Sequence, residues 1–164
     1  AQHTEVLIRT LKAHAVLASV GLEGMTPANA RAKLYWRLTR PISLGQMGVK
    51  LFSSRAFREF LLLVLSEDAV LLSGLVLSAG FSLADGALVD AKIDVCAHCL
   101  PRAPARWVQI LQQCCRSRGL LPLNVGDGLL RGQAELAFVG FAMDAAGNER
   151  LNLYLKVPAR RQRW

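Results

Sequence analysis

The stretch RAKLYWRL at residues 31–38 returns in similar form as RLNLYLKV at residues 150–157. Each stretch begins with Arg, has Tyr at its fifth position and alternates polar with apolar side chains. Alternation with a period of two is typical of a β-strand that buries one face. The two stretches therefore predict two amphipathic strands built on one pattern.

The similarity extends beyond the two strands, because residues 17–37 align without a gap on residues 136–156. Each copy reads as a strand, a polar turn region and a second strand, which is the signature of a β-hairpin. The identical pairs are Leu17 and Leu136, Ala18 and Ala137, Val20 and Val139, Gly21 and Gly140, Asn29 and Asn148, Arg31 and Arg150, Leu34 and Leu153, and Tyr35 and Tyr154.

A third, weaker copy lies between these two at residues 75–98. Gly80 takes the place of Gly140, the segment AKIDV at 91–95 takes the place of AKLYW at 32–36, and ADG at 84–86 supplies the turn. Amphipathic helices are predicted at residues 54–66 and 104–118, with a further helical segment near the start of the chain. Three copies of one unit indicate an internal repeat.

The predicted fold is α+β, with repeated α-β-β units, six strands in antiparallel hairpins and two or three helices. We expect one repeat-built domain over residues 1–158, followed by a basic tail at 159–164.

The alternation assigns the side chains of the second strand of each repeat to two faces. One face is apolar and suits packing against helices: Ala32, Leu34, Trp36, Leu38, Ala91, Ile93, Val95, Ala97, Leu151, Leu153 and Leu155. The other face carries Lys33, Tyr35, Arg37, Lys92, Asp94, Cys96, His98, Asn152, Tyr154 and Lys156. This polar face either meets water on an open sheet or lines the lumen of a sheet that closes on itself, and the pattern leaves both open.

Composition favours a packed protein with anionic partners. Hydrophobic residues make up 52% of the 164 residues, and 20 Lys and Arg against 12 Asp and Glu give a net charge of +8. The most apolar stretch, residues 60–81, is interrupted by Ser66, Glu67 and Asp68, so no membrane-spanning helix is predicted. With four Cys and no export signal in the sequence, we expect a cytoplasmic protein with reduced thiols. The motif CAHC at 96–99 lacks the second separated Cys pair of a structural zinc site, so no metal site is predicted.

The repeated units, with KLYWR at 33–37, NLYLK at 152–156 and the degenerate KIDV at 92–95, resemble the ABBA-type (PT-barrel) aromatic and peptide prenyltransferases. The resemblance spans roughly residues 10–158. It implies antiparallel strands enclosing a chamber with helices outside, and transfer of a dimethylallyl or longer isoprenyl group from its diphosphate to an aromatic or peptide acceptor. The family barrel has ten strands. The chain is therefore expected to be about half of such a barrel, its C-terminal part, completed by another chain or by a second copy.

The resemblance also implies roles for individual residues. Diphosphate binding falls to Lys33, Arg37, Lys92, Asn152 and Lys156, and shielding of the allylic cation falls to Tyr35 and Tyr154. Asp94 is the candidate catalytic base. No Asp-Asp-x-x-Asp motif is present, so Mg²⁺ is compatible with this chemistry but not required.

The competing interpretation is a non-catalytic basic α+β module that binds RNA or another anionic partner. The sequence contains no aromatic–basic RNA-binding motif and no helix-turn-helix pattern, so nucleic acid is not the expected partner.

Overall fold

A computed structural model describes residues 2–27, 29–47, 50–65, 69–70, 75–121, 124 and 126–158 of the chain. The helices are α1 (Gln2–Leu11), α2 (Arg55–Leu65), α3 (Pro104–Arg116) and α4 (Gly126–Leu130). The strands are β1 (Ala15–Glu23), β2 (Arg31–Leu38), β3 (Ile42–Ser43), β4 (Ala69–Val70), β5 (Leu75–Ser82), β6 (Leu88–Cys96), β7 (Glu135–Asp144) and β8 (Glu149–Lys156). Short 3-10 helices cover Leu44–Met47 and Ala97–Cys99.

Six strands form one sheet in the order β1-β2-β5-β6-β7-β8, and every neighbouring pair is antiparallel. The sheet is open, with β1 and β8 as its edges. The predicted α+β class and antiparallel hairpins are confirmed. The short β3–β4 pair and helix α4 were not predicted, because segments of two to five residues carry too few positions to show a period.

The helix ends follow local chemistry. Ser54 caps α2, since its hydroxyl oxygen accepts a hydrogen bond from the Phe57 amide. Pro104 occupies the first turn of α3, where its missing N–H costs nothing. Gly119 follows α3 with a φ of +63°, a left-handed conformation that glycine adopts without strain.

The apolar face of the sheet packs against α2 and α3 in one core. Of the side chains assigned to this face, the buried ones are Trp36, Leu38, Ala91, Ile93, Val95 and Ala97. Ala32, Leu34, Leu151 and Leu153 are partly buried, and Leu155 on the edge strand β8 is 42% exposed. Phe141 of β7 lies at its centre, with its ring 5.0 Å from that of Phe57 and 5.3 Å from that of Phe60. Alternation alone therefore assigned the packed face correctly.

The internal repeat reproduces an irregularity as well as a pattern. The β1–β2 register shifts between Leu17 and Ser19, at Ala18. The β7–β8 register shifts between Leu136 and Phe138, at Ala137, which is the residue that the sequence aligns with Ala18. A β-bulge inserts one unpaired residue into a strand and increases its local twist. The first and last hairpins are thus equivalent in three dimensions.

Among the described residues, no helix combines the length and the apolarity needed to cross a membrane. The cytoplasmic location stays a prediction. The basic tail at 159–164 lies outside the described residues.

Substitution of Phe141 and of Phe138 tests which face of β7 is packed, because the two residues are of the same type and lie on opposite faces of one strand. Phe141 is fully buried, whereas Phe138 faces away from the helices and is only partly buried. We expect Phe141→Ala to lower the free energy of unfolding by about 3–5 kcal/mol. We expect Phe138→Ala to lower it by clearly less, and urea denaturation followed by circular dichroism measures both. Equal losses would contradict the assignment of the faces, and Phe141→Leu provides a milder variant if Phe141→Ala fails to fold.

Candidate functional site

The helices leave one face of the sheet uncovered, and this open face contains a cavity of about 440 Å³. The cavity lies over β2, β5, β6, β7 and β8. Its lining residues are Lys33, Tyr35, Val76, Lys92, Asp94, Phe138, Ala142, Arg150, Asn152 and Tyr154. Cations, a carboxylate, an amide and two phenols from separate repeats therefore surround one space.

Glycine on the first strand of the second and third hairpins makes room for the side chains of this face. A Cβ on Gly140 would lie 2.1 Å from Asp94 Oδ1 and 2.9 Å from Lys92 Cε, and a Cβ on Gly80 would lie 2.9 Å from Asp90 Oδ1. Real Cβ atoms do not approach other atoms so closely. The carboxylates of Asp90 and Asp94 can therefore lie across the sheet only because these neighbours have no side chain.

Lys92 is the centre of the cavity floor. Its ammonium lies 2.8 Å from Asp94 Oδ1, donates a hydrogen bond to the Tyr154 hydroxyl and lies 4.6 Å from the Tyr154 ring centroid. The residue is only 7% exposed, so the ammonium is largely withdrawn from water. A buried ammonium needs paired charge or hydrogen bonds, and here it has both.

Asp90 forms a second ionic centre that the sequence analysis missed. The residue is 1% exposed, and its carboxylate lies 3.1 Å from Arg31, 3.7 Å from Lys33 and 3.9 Å from Arg150. Its position two residues before Lys92 places it on the polar face, and it lies directly opposite Gly80. This position on the polar face is the sequence feature that could have identified Asp90 as a site residue. Asp90 positions three cations at one end of the open face.

Burial and pairing shift the pKa values of the central groups in defined directions. Burial raises the pKa of Asp94, and the nearby ammonium of Lys92 opposes this only in part. Burial by itself disfavours the charged form of Lys92, but the contacts with Asp94 and Tyr154 outweigh it and raise the pKa of Lys92. Partial burial, followed by the charge of Glu23, raises the pKa of Tyr35. At neutral pH Lys92 is therefore charged and Tyr35 is a neutral phenol.

Of the predicted site residues, the structure brings six to the cavity: Lys33, Tyr35, Lys92, Asp94, Asn152 and Tyr154. Arg37 is exposed and is not among the lining residues, and neither is Lys156, whose ammonium lies 3.0 Å from Glu135 on the neighbouring strand. A position in the cavity lining does not test a catalytic or binding role, so the roles assigned to all eight residues stay predictions. Sequence analysis did not select Arg150 and Phe138 as site residues, although Arg150 begins the repeated strand RLNLYLKV.

Within the part of the chain that the structure describes, no three His, Cys, Asp or Glu side chains come together as metal ligands. All four cysteines are free thiols, with Cys114 and Cys115 buried in the core side of α3.

A glycine substitution tests the clearance at Gly140. We expect Gly140→Ala to lower the free energy of unfolding by about 1–3 kcal/mol, because the added methyl group overlaps Asp94. Gly21→Ala is the matched control, since it changes the equivalent repeat position and its Cβ would have no neighbour nearer than 3.8 Å. Urea denaturation gives both values. A cost for Gly140→Ala that persists undiminished in an Asp94→Ala background would contradict the overlap.

The pH dependence of stability tests the environment of Asp94. Since the pKa of Asp94 is raised in the folded state, the folded protein holds this proton more tightly than the unfolded chain does. The free energy of unfolding therefore falls as the pH rises from about 4, the ordinary pKa of Asp, through the pKa of the folded state. We expect the difference in unfolding free energy, wild type minus Asp94→Asn, to decrease with pH across this window. A difference that increases would show that Lys92 dominates and lowers the pKa instead.

Comparison with known proteins supports the fold. No protein-family model matches this sequence, and no curated protein sequence matches it. The structure is similar to the crystal structure of AnaPT from Neosartorya fischeri, a prenyltransferase of the PT-barrel type, with a TM-score of 0.65 and 12% sequence identity. The similarity covers 95% of this chain and 43% of AnaPT, so the chain spans less than half the length of AnaPT. At this identity the likeness establishes the fold, an open part of a PT-barrel-like wall.

Proposed function

We propose that the open face binds an isoprenyl diphosphate and takes part in prenyl transfer to an aromatic or peptide acceptor. One observation carries the proposal: Lys33 and Tyr35 of β2 face the same cavity as Lys92 of β6 and Asn152 and Tyr154 of β8. Cations and phenols at these places are the groups that the chemistry requires. The fold shared with AnaPT supports the proposal, and the activity of a protein more than twice as long does not transfer by itself.

In the proposed reaction the allylic C–O bond breaks, and its electron pair leaves with the diphosphate. Lys33 and Lys92 would stabilise the growing negative charge from fixed positions, and the Asn152 amide would donate a hydrogen bond to a phosphate oxygen. Arg150, held near Asp90, adds a cation that the sequence analysis did not assign. Fixed charges of this kind lower the barrier to ionisation because they need no rearrangement as the charge develops.

The allylic cation left behind needs an electron-rich surface and protection from water. Tyr35 of β2 and Tyr154 of β8 line the cavity, and their rings would supply that surface by cation–π interaction. Lys92 lies 4.6 Å from the Tyr154 ring centroid, so the allylic cation would contact the part of this ring that Lys92 leaves open. Phe138 supports this wall, since its ring lies edge-on at 6.2 Å from the Tyr154 ring. The acceptor ring then forms the new C–C bond to the cation.

Asp94 is the proposed base that takes the proton released when the acceptor regains aromaticity. Its carboxylate lines the cavity, and its raised pKa makes it a stronger proton acceptor than an ordinary surface aspartate. The proton passes from the acceptor carbon to Asp94, while the new C–C bond remains.

The donors of the cavity do not fit a resident Mg²⁺ ion. A magnesium site needs oxygen ligands that are free to coordinate, but Asp94 is paired with Lys92 and Asp90 is surrounded by three cations. We therefore assign no step to a metal.

Calorimetric titration with dimethylallyl thiodiphosphate, which resists ionisation, tests the proposal. We expect the native assembly to bind it, and Lys33→Met to weaken binding by about tenfold or more through the loss of one charge near the phosphates. Lys12→Met is the matched control, because Lys12 is exposed and lies outside the cavity.

The outcome separates the proposal from its competitor. No binding of the analogue, together with salt-sensitive binding of a mixed-sequence RNA, would contradict isoprenyl diphosphate recognition and favour the basic-module interpretation. Equal losses in Lys33→Met and Lys12→Met would show attraction by net charge alone.

A further inference from the structure

Within the described part of the chain, neither edge of the six-stranded sheet has a further strand beside it, and both edges carry exposed apolar side chains. Leu22 of β1 is 75% exposed, Val20 of β1 is 55% exposed and Leu155 of β8 is 42% exposed. The β1 segment from Val16 to Leu22 contains no charged residue. Natural proteins protect edge strands with charges, prolines or a cover, because a bare edge is a template for another strand. The edge strand β8 has charged residues at its ends, but its segment from Leu151 to Leu155 is uncharged. The uncharged parts of these two edges therefore have the character of a contact surface.

The directions of the two edges fit one another. Six strands with every neighbour antiparallel leave β1 and β8 running in opposite directions. Rotation about a twofold axis parallel to the strands does not change the direction in which a strand runs. The β1 strand of a second copy related by this axis would therefore lie antiparallel to β8 of the first copy. The same rotation brings its β8 against β1, and the two contacts are identical.

We propose that two copies of this chain pair β8 of each with β1 of the other and thereby close one barrel of twelve strands, two more than the ten of the family barrel, around a shared lumen. Each copy would supply half of the wall, with its helices outside. The idea that the shared lumen is a binding site rests on the proposed function. The pairing of the two edges does not depend on that function.

The internal repeat supplies the register of this contact. In the repeat, β2 corresponds to β8, so Lys33 corresponds to Asn152. Gly21 of β1 and Gly80 of β5 both correspond to Gly140, so β1 corresponds to β5. In the observed β2–β5 pairing, Lys33 lies opposite Gly80 and Arg31 lies opposite Ser82. Transferred to the edges, this register places Asn152 opposite the partner's Gly21 and Arg150 opposite the partner's Glu23.

Complementary side chains meet in this register. On the helix-facing side, Leu151 would pair with the partner's Leu22 and Leu153 with the partner's Val20. On the open face, Arg150 would lie opposite the partner's Glu23, so opposite charges would meet across the strands. Within one chain Glu23 already accepts a hydrogen bond from Arg31, and its carboxylate would then be shared between the two guanidinium groups. A slip by one residue would turn the apolar side chains of one strand to the polar face of the other, so the register is specified.

Closure would complete the cavity at the edge where it is now open. Asn152 and Tyr154 belong to β8, the last strand of the sheet, so the wall ends beside them. The neighbouring strand would contribute the partner's Ser19 and the partner's Gly21 on the lumen side. Water would then be excluded from the space between the phenols, as a reactive allylic cation requires.

Mass in solution tests the pairing directly. We expect light scattering after size exclusion to give twice the chain mass of 17.9 kDa. Leu22→Glu should raise the dimer dissociation constant by about tenfold or more, since it would bury an unpaired carboxylate in the contact. Leu121→Glu is the matched control, because Leu121 is 87% exposed and lies outside both edge strands, and it should leave the dimer intact.

A cysteine pair tests the register. In a Cys99→Ser background, which removes the exposed native thiol, the variant Gly21→Cys/Asn152→Cys should oxidise to a covalent dimer. Either single variant, and a Gly21→Cys/Arg37→Cys control, should not. A monomer at all concentrations, a polydisperse series of larger oligomers, or a disulfide within one chain would each overturn the proposal.

Ligand titration keeps the two proposals apart. A closed dimer that fails to bind dimethylallyl thiodiphosphate would overturn the proposed function and leave the edge pairing standing. A monomer that binds the analogue would overturn the edge pairing and leave the proposed function standing.

Discussion

The carboxylates of Asp90 and Asp94 lie across the sheet because Gly80 and Gly140 present no side chain beside them. The arrangement of charged side chains on the open face depends on the space that these two glycines leave. Asp94 holds Lys92 against Tyr154, and Asp90 gathers Arg31, Lys33 and Arg150. A methyl group at either glycine would displace a carboxylate, and the largely buried ammonium of Lys33 or Lys92 would lose the charge that it is paired with.

Strict alternation makes this arrangement compatible with a stable core. The strands β2 and β6, which carry Lys33 and Lys92 toward the cavity, carry Trp36 and Ile93 toward the helices. Since neighbouring residues point to opposite faces, polar chemistry on one side does not interrupt apolar packing on the other. The bulges at Ala18 and Ala137 occur at equivalent places in the first and last hairpins, so the two repeats bend the sheet in the same way.

Charge balance on the open face shapes what it can bind. Its cations are already paired with carboxylates, so a ligand must compete with Asp90 and Asp94 for them. A compact diphosphate can do so by accepting several hydrogen bonds at one place. An extended polyanion would need cations spaced along a groove, whereas these converge on two carboxylates.

The sequence by itself determined the hairpins, the packed face of each strand and the polar composition of the opposite face. Period-two alternation is a local property, so the composition of each face can be read from a single strand. It could not reveal the importance of Asp90, because that role depends on Lys33 and Arg150 arriving from other strands. Nor could it separate Arg37 and Lys156 from the lining residues, since all the polar side chains of a strand share one face and only the position along the sheet distinguishes them. The positions of β1 and β8 as the edges of the described sheet were likewise decided by the tertiary structure, because an edge exists only once the order of the strands is fixed.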